Sequence, residues 1–147
     1  FLFMAIYTTF IALFGLAARG TLGKAGSRLI VVALIAGLSA MMETRTLLAI
    51  SADLQSGVFT PDGLHTLWVY VYAKFAALAA SVFTVGLMLV STQSKAWKVA
   101  GWVALITASL SIPALWQPDG YGSLLGLSIG IGWMIMLIYA GSRVRAA

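Results

Sequence analysis

Glu43, Arg45 and Lys74 are the residues whose types and positions carry the most chemical information in this sequence. Each stands inside an apolar run long enough to cross a bilayer, where an ionisable side chain is costly and marks a site, a partner or a paired charge. On a helix rising ~1.5 Å per residue, Glu43 lies ~10 Å and Arg45 ~8 Å from Ile50 at the end of one run, and Lys74 lies ~9 Å from Trp68 near the start of the next. The depths of Glu43 and Lys74 match, and consecutive runs joined by a short connection are normally neighbours. The spacing therefore predicts an intramembrane Glu43–Lys74 ion pair or a ligand pocket built on those charges. Arg45 stands about 200° around the helix from Glu43, so the two cannot share a face. It is expected to snorkel to the headgroups, to meet another helix, or to hold a phosphate or carboxylate of a ligand.

The remaining chemistry is sparse. His65 follows "TPDG" at a run boundary, close to Asp62, where it is an outer-boundary titratable group or a single metal ligand. With one histidine and no cysteine, the chain has no thiolate chemistry and no bis-histidine haem ligation of its own. No metal site and no cofactor are expected. Thr107, Ser109 and Ser111 precede Pro113, and their hydroxyls are read as bonding carbonyls of their own helix, since no base lies near enough to make one a nucleophile. No acid–base or metal set is present, so the sequence leans against an enzyme.

The elements that hold these residues follow from composition. The chain has 147 residues, 61% hydrophobic and 9% charged, far from the quarter-charged make-up of soluble domains. Its net charge of +5 is broken into short clusters and forms no continuous stripe, which argues against nucleic acid. Five runs approach the ~20 apolar residues of a span: Leu2 to Ala18, Leu29 to Ile50, Leu67 to Val90, Trp97 to Trp116 and Tyr121 to Ala140. None alternates with period two, so helices are predicted rather than barrel strands. The expected fold is an all-α integral membrane protein, one transmembrane domain over 1–147 forming a compact bundle of five transmembrane helices. The first run lacks a basic stretch ahead of it and has Arg19 behind it, so it reads as a retained helix rather than a cleaved signal peptide.

Charge gives an orientation. Arg19, Lys24 and Arg28, then Lys95 and Lys98, then Arg143 and Arg145 fall in alternate connections and at the C-terminus, and Asp53, Asp62 and Asp119 fall in the others. The positive-inside rule puts the N-terminus outside and the C-terminus in the cytoplasm, in a bacterial inner membrane. Trp68, Tyr70, Tyr72, Trp97, Trp116 and Tyr121 mark the interfaces.

Two small-residue faces predict where helices meet each other or a partner: Gly122, Gly126 and Gly130 in the fifth run, and Ala73, Ala77 and Ser81 in the third. The leading functional expectation is a noncatalytic subunit, assembly factor or stabiliser of a larger membrane complex, with lipids and other membrane subunits or further copies of the chain as partners. Two others stand beside it. One is a small, proton-coupled transporter using Glu43 and Lys74; the other is a lipid-binding or lipid-modifying protein using Arg45 and Lys74.

Overall fold

The computed structural model describes the backbone over 2–22, 24–58, 61–116 and 118–144, and the surroundings of residues 5–17, 24, 26–58, 61–113, 115–116 and 123–142. Five helices follow one another: α1 (Leu2–Leu22), α2 (Lys24–Gln55), α3 (Pro61–Val90), α4 (Lys95–Trp116) and α5 (Pro118–Val144). No strand occurs among the described residues. Among the described residues, four helices carry segments long and apolar enough to cross a membrane: Gly26–Gln55, Pro61–Val90, Lys95–Pro113 and Ser123–Ser142. The apolar part of α1, Ala5–Ala17, is shorter.

The helices outrun the apolar runs that predict them, because local backbone chemistry and not hydropathy sets their ends. Pro61 opens α3, its fixed φ and missing N–H both suited to a first helical position, and Asp62 complements the dipole in the first turn. At the other side of that connection, Gly57 adopts φ +77°. There the Val58 N–H donates to the Asp53 carbonyl at 2.9 Å and the Gly57 N–H to the Leu54 carbonyl at 3.2 Å. These two bonds satisfy carbonyls left over at the end of α2 in the manner of a Schellman cap. Between α3 and α4 the chain turns in a few residues, with the Ser91 and Thr92 hydroxyls donating to the Met88 and Leu89 carbonyls.

Consecutive helices pack as neighbours, and α3 also meets α5. The α1 rings of Tyr7, Phe10 and Phe14 touch Trp133 and Tyr139 of α5. Thus α1, α2, α3 and α5 close a ring, and α4 lies against α3 and α5. Small residues dominate the interior, with Ala33, Ala36, Ala40, Ala77, Ala104 and Ala108 buried, and large ones such as Leu34, Leu38, Trp102, Ile106, Leu127 and Ile138 are exposed. A chain whose large apolar side chains face out is matched to hydrocarbon rather than to water, and close backbone approach supplies its cohesion.

Between α3 and α4 the two backbones approach closely. A Cβ on Gly101 would stand 2.6 Å from the Val90 nitrogen and 2.8 Å from the Gly86 carbonyl oxygen. A Cβ on Gly132 would overlap Val82, so α5 rests directly on α3 at that level. Buried hydroxyls join α4 to α5, where the Ser111 and Ser128 oxygens are 2.8 Å apart. Ser109 donates within its own helix to the Leu105 carbonyl at 2.9 Å, and Thr107 does the same to that of Ala104 at 3.0 Å.

Replacing Gly101 by Leu should lower stability by about 1–3 kcal/mol, the usual effect of overpacking. By contrast, Gly126→Leu, where an added Cβ meets nothing within 4 Å, should not lower stability, because Leu also has the higher helix propensity. Thermal unfolding in detergent followed by circular dichroism reads both.

Candidate functional site

The antiparallel pairing of α2 and α3 brings their charges together. Glu43 lies ~18 Å before Gln55 at the end of α2, and Lys74 lies ~20 Å beyond Pro61 at the start of α3. The intervening connection reverses the chain, so two residues 31 apart in sequence meet at one level. Lys74 Nζ donates to Glu43 Oε2 in a direct salt bridge, with the side chains 16% and 18% exposed respectively. The ammonium also stands 4.7 Å from the centroid of the Phe75 ring, a second source of stabilisation for the cation.

This pair is not sealed into packed side chains. It borders a cavity of about 460 Å³ lined by all four helices of the ring. Tyr7 comes from α1; Ala40, Glu43 and Thr44 from α2; Lys74, Phe75 and Leu78 from α3; and Gly126, Ile129, Gly130 and Trp133 from α5. The Thr44 hydroxyl donates to the Ala40 carbonyl at 2.9 Å, which leaves its oxygen as a further acceptor at the wall. Tyr7 and Trp133 meet edge to face, 5.7 Å between centroids at 63°. The cavity is therefore apolar and aromatic around one ion pair, the composition usual for a small-molecule site.

The other sequence-predicted residues fall elsewhere. Arg45 is exposed, borders none of the cavity, and forms no ion pair among the described residues. Asp62 and His65 are both exposed in the first turns of α3, with no hydrogen bond between them among the described residues. No group of three or more His, Cys, Asp or Glu side chains able to hold a metal ion occurs among the described residues. Ala77 and Ser81 are buried and Ala73 is half-buried on α3, with the Ser81 hydroxyl donating to the Leu78 carbonyl at 2.6 Å.

The glycine face of α5 departs from a helix-packing role within the chain. Gly122 lies outside the described surroundings, but an added Cβ at Gly126 or Gly130 meets nothing within 4 Å. Both residues are exposed and both line the cavity. Among the described residues, the close helix contacts use Gly15, Gly37, Gly86, Gly101 and Gly132 instead. Four-residue glycine spacing marks a bare strip of helix, and among the described residues no neighbouring helix lies close against Gly126 or Gly130.

Sequence reasoning also missed the walls contributed by Tyr7, Thr44, Phe75 and Trp133. A signal existed for two of them. Tyr7 and Trp133 stand inside apolar runs rather than at their ends, away from the interface belts where such side chains normally sit. No family model, curated protein or solved structure matches this chain.

Truncating one member of the pair leaves an uncompensated buried charge. Lys74→Met alone should destabilise the protein by roughly 3–5 kcal/mol, and adding Glu43→Leu should recover most of that loss, because an apolar pair of similar volume replaces the ion pair at little net cost. Thermal unfolding of the two single variants and the double variant closes the cycle. Additive losses in the double variant would show that the two side chains are not energetically coupled.

Proposed function

We propose that this chain is a membrane-embedded binding protein that takes a small amphiphilic molecule into the cavity beside Glu43 and Lys74. One observation carries the reading: the ion pair borders about 460 Å³ of open volume. A pair with a purely structural role is best served by tight packing on every side, since each unfilled flank forfeits dispersion contacts. Gly126 and Gly130, exposed and cavity-lining, supply an opening at the side of the bundle, through which a molecule dissolved in the bilayer would reach the charges. Carriage of that molecule across the membrane is the extension of this reading to transport.

In the same proposal all five helices cross a bacterial inner membrane, with the N-terminus of α1 outside. Its support is the separation of charge between the two ends of the antiparallel bundle: Lys24, Arg28, Lys95 and Lys98 lie at the starts of α2 and α4, and Asp53 and Asp62 at the opposite turn. Because the chain has no cysteine, single replacements give a clean test. Ser56→Cys should react with an impermeant maleimide in intact cells, and Gln93→Cys only after the membrane is opened. The reverse pattern would invert the orientation.

Association with other membrane subunits, or among copies of the chain, is the second reading. It is favoured by the broad apolar exposure of α4, where Val99, Trp102, Ile106 and Trp116 all face outward on the helix outside the ring. Native mass spectrometry of protein released from mild detergent separates the two. The binding reading expects a low-mass adduct on the wild type that is lost in the cavity-filling Gly126→Leu/Gly130→Leu variant. A stoichiometric second polypeptide with no such adduct would instead support the subunit reading.

A further inference from the structure

We infer that the cavity selects a ligand of no net charge, a ring-bearing alcohol or phenol whose single hydroxyl accepts from Lys74 and donates to Glu43. The inference rests on the binding reading above and narrows it to a chemical class.

Three observations lead there. The first is charge balance. The cavity holds one cation and one anion already paired. An anionic ligand would claim Lys74 and leave the Glu43 carboxylate uncompensated, and a cationic one would do the reverse to Lys74; in an apolar surround either outcome is heavily penalised. A neutral ligand leaves the pair intact.

The second is unused hydrogen-bonding capacity. An ammonium offers three donors and a carboxylate about four acceptor sites. Among the described residues, the only hydrogen bond at either charged end is the one that joins them. Both side chains border the open volume, so their remaining capacity is available to a group within it. A hydroxyl is donor and acceptor on one atom, and it can bond both members at once.

The third is the wall. Phe75, Tyr7 and Trp133 present ring systems, and Leu78 and Ile129 present alkyl surface. A flat ring gains offset or edge contact with such partners beyond the area it buries. Gly126 and Gly130 offer no side chain, so an alkyl tail attached to the ring has room to lie along α5.

The test uses the full chain in detergent and three probes of equal ring and tail: 4-hexylphenol, 4-hexylbenzoate and 4-hexylbenzylammonium. Each is titrated calorimetrically into the wild type and into Gly130→Leu at the same micelle concentration, so that subtraction removes partitioning into detergent. The phenol should bind about tenfold or more tightly than either ion, and the Glu43→Leu/Lys74→Met double variant, checked for helicity, should lose about tenfold for the phenol. Equal or tighter site-specific binding of the benzoate or the ammonium would overturn the neutral-hydroxyl assignment while keeping the cavity as a binding site. Absence of site-specific heat for all three probes would overturn both.

Discussion

Two opposite charges among largely apolar helix faces gain most by finding each other, and the packing of α2 against α3 accommodates that constraint. Glu43 and Lys74 sit on neighbouring helices at almost equal distances from the turn between them. Their pairing fixes how far α3 can slide against α2. A shift of one helical turn, ~5.4 Å, would separate the charges and expose each to apolar surroundings. The Gly57 cap and the Pro61 start bound the connection, and the ion pair joins the two helices beyond it. Such a pair adds little net stability but discriminates strongly against misaligned packings, the best-attested use of a buried polar interaction.

The remaining packing obeys a different rule. In a chain that displays its large side chains outward, helices cohere where backbones can touch. Gly101 against Gly86, Gly132 against Val82, and the Ser111–Ser128 hydroxyl contact are such points, as Gly15 against Gly26 and Gly37 against Thr8 are between α1 and α2. The first three tie α4 and α5 to the rest, while the aromatic cluster of Tyr7, Phe10, Phe14, Trp133 and Tyr139 ties α1 to α5. Where neither device operates, beside Gly126 and Gly130, the bundle stays open.

Much of the architecture was legible in the sequence. Composition and the lengths of the apolar runs give an all-helical chain with several spans, and helical rise applied to Glu43 and Lys74 gives their proximity. The ends of helices were less legible, because Gly57 and Pro61 act through φ and missing donors rather than through hydropathy. The glycine faces were the hardest to read. Spacing finds a strip without side chains, but whether another backbone fills the strip depends on how three or four helices are placed together, and no local pattern encodes that. Gly86 and Gly101 lie on different helices, with no mutual spacing to reveal them, and they bring two backbones together. Cavity walls suffer likewise: Thr44 and Phe75 are each adjacent in sequence to a charged residue, but their part in one enclosure with Tyr7 and Trp133 is a tertiary fact.

The exposed glycines have a consequence for how occupancy would be governed. A site reached from the side of the bundle samples its ligand at the concentration dissolved in the bilayer, not at the concentration in water. Each methylene on a tail favours transfer into hydrocarbon by about 0.8 kcal/mol, roughly a fourfold enrichment. Under the proposed binding role, tail length and head chemistry would control separate quantities: the tail would set how much ligand surrounds the protein, and the groups at Glu43 and Lys74 would set which of the surrounding molecules is retained. A site of modest intrinsic strength would remain filled under those conditions, and its selectivity would have to be measured against other lipids rather than against solvent.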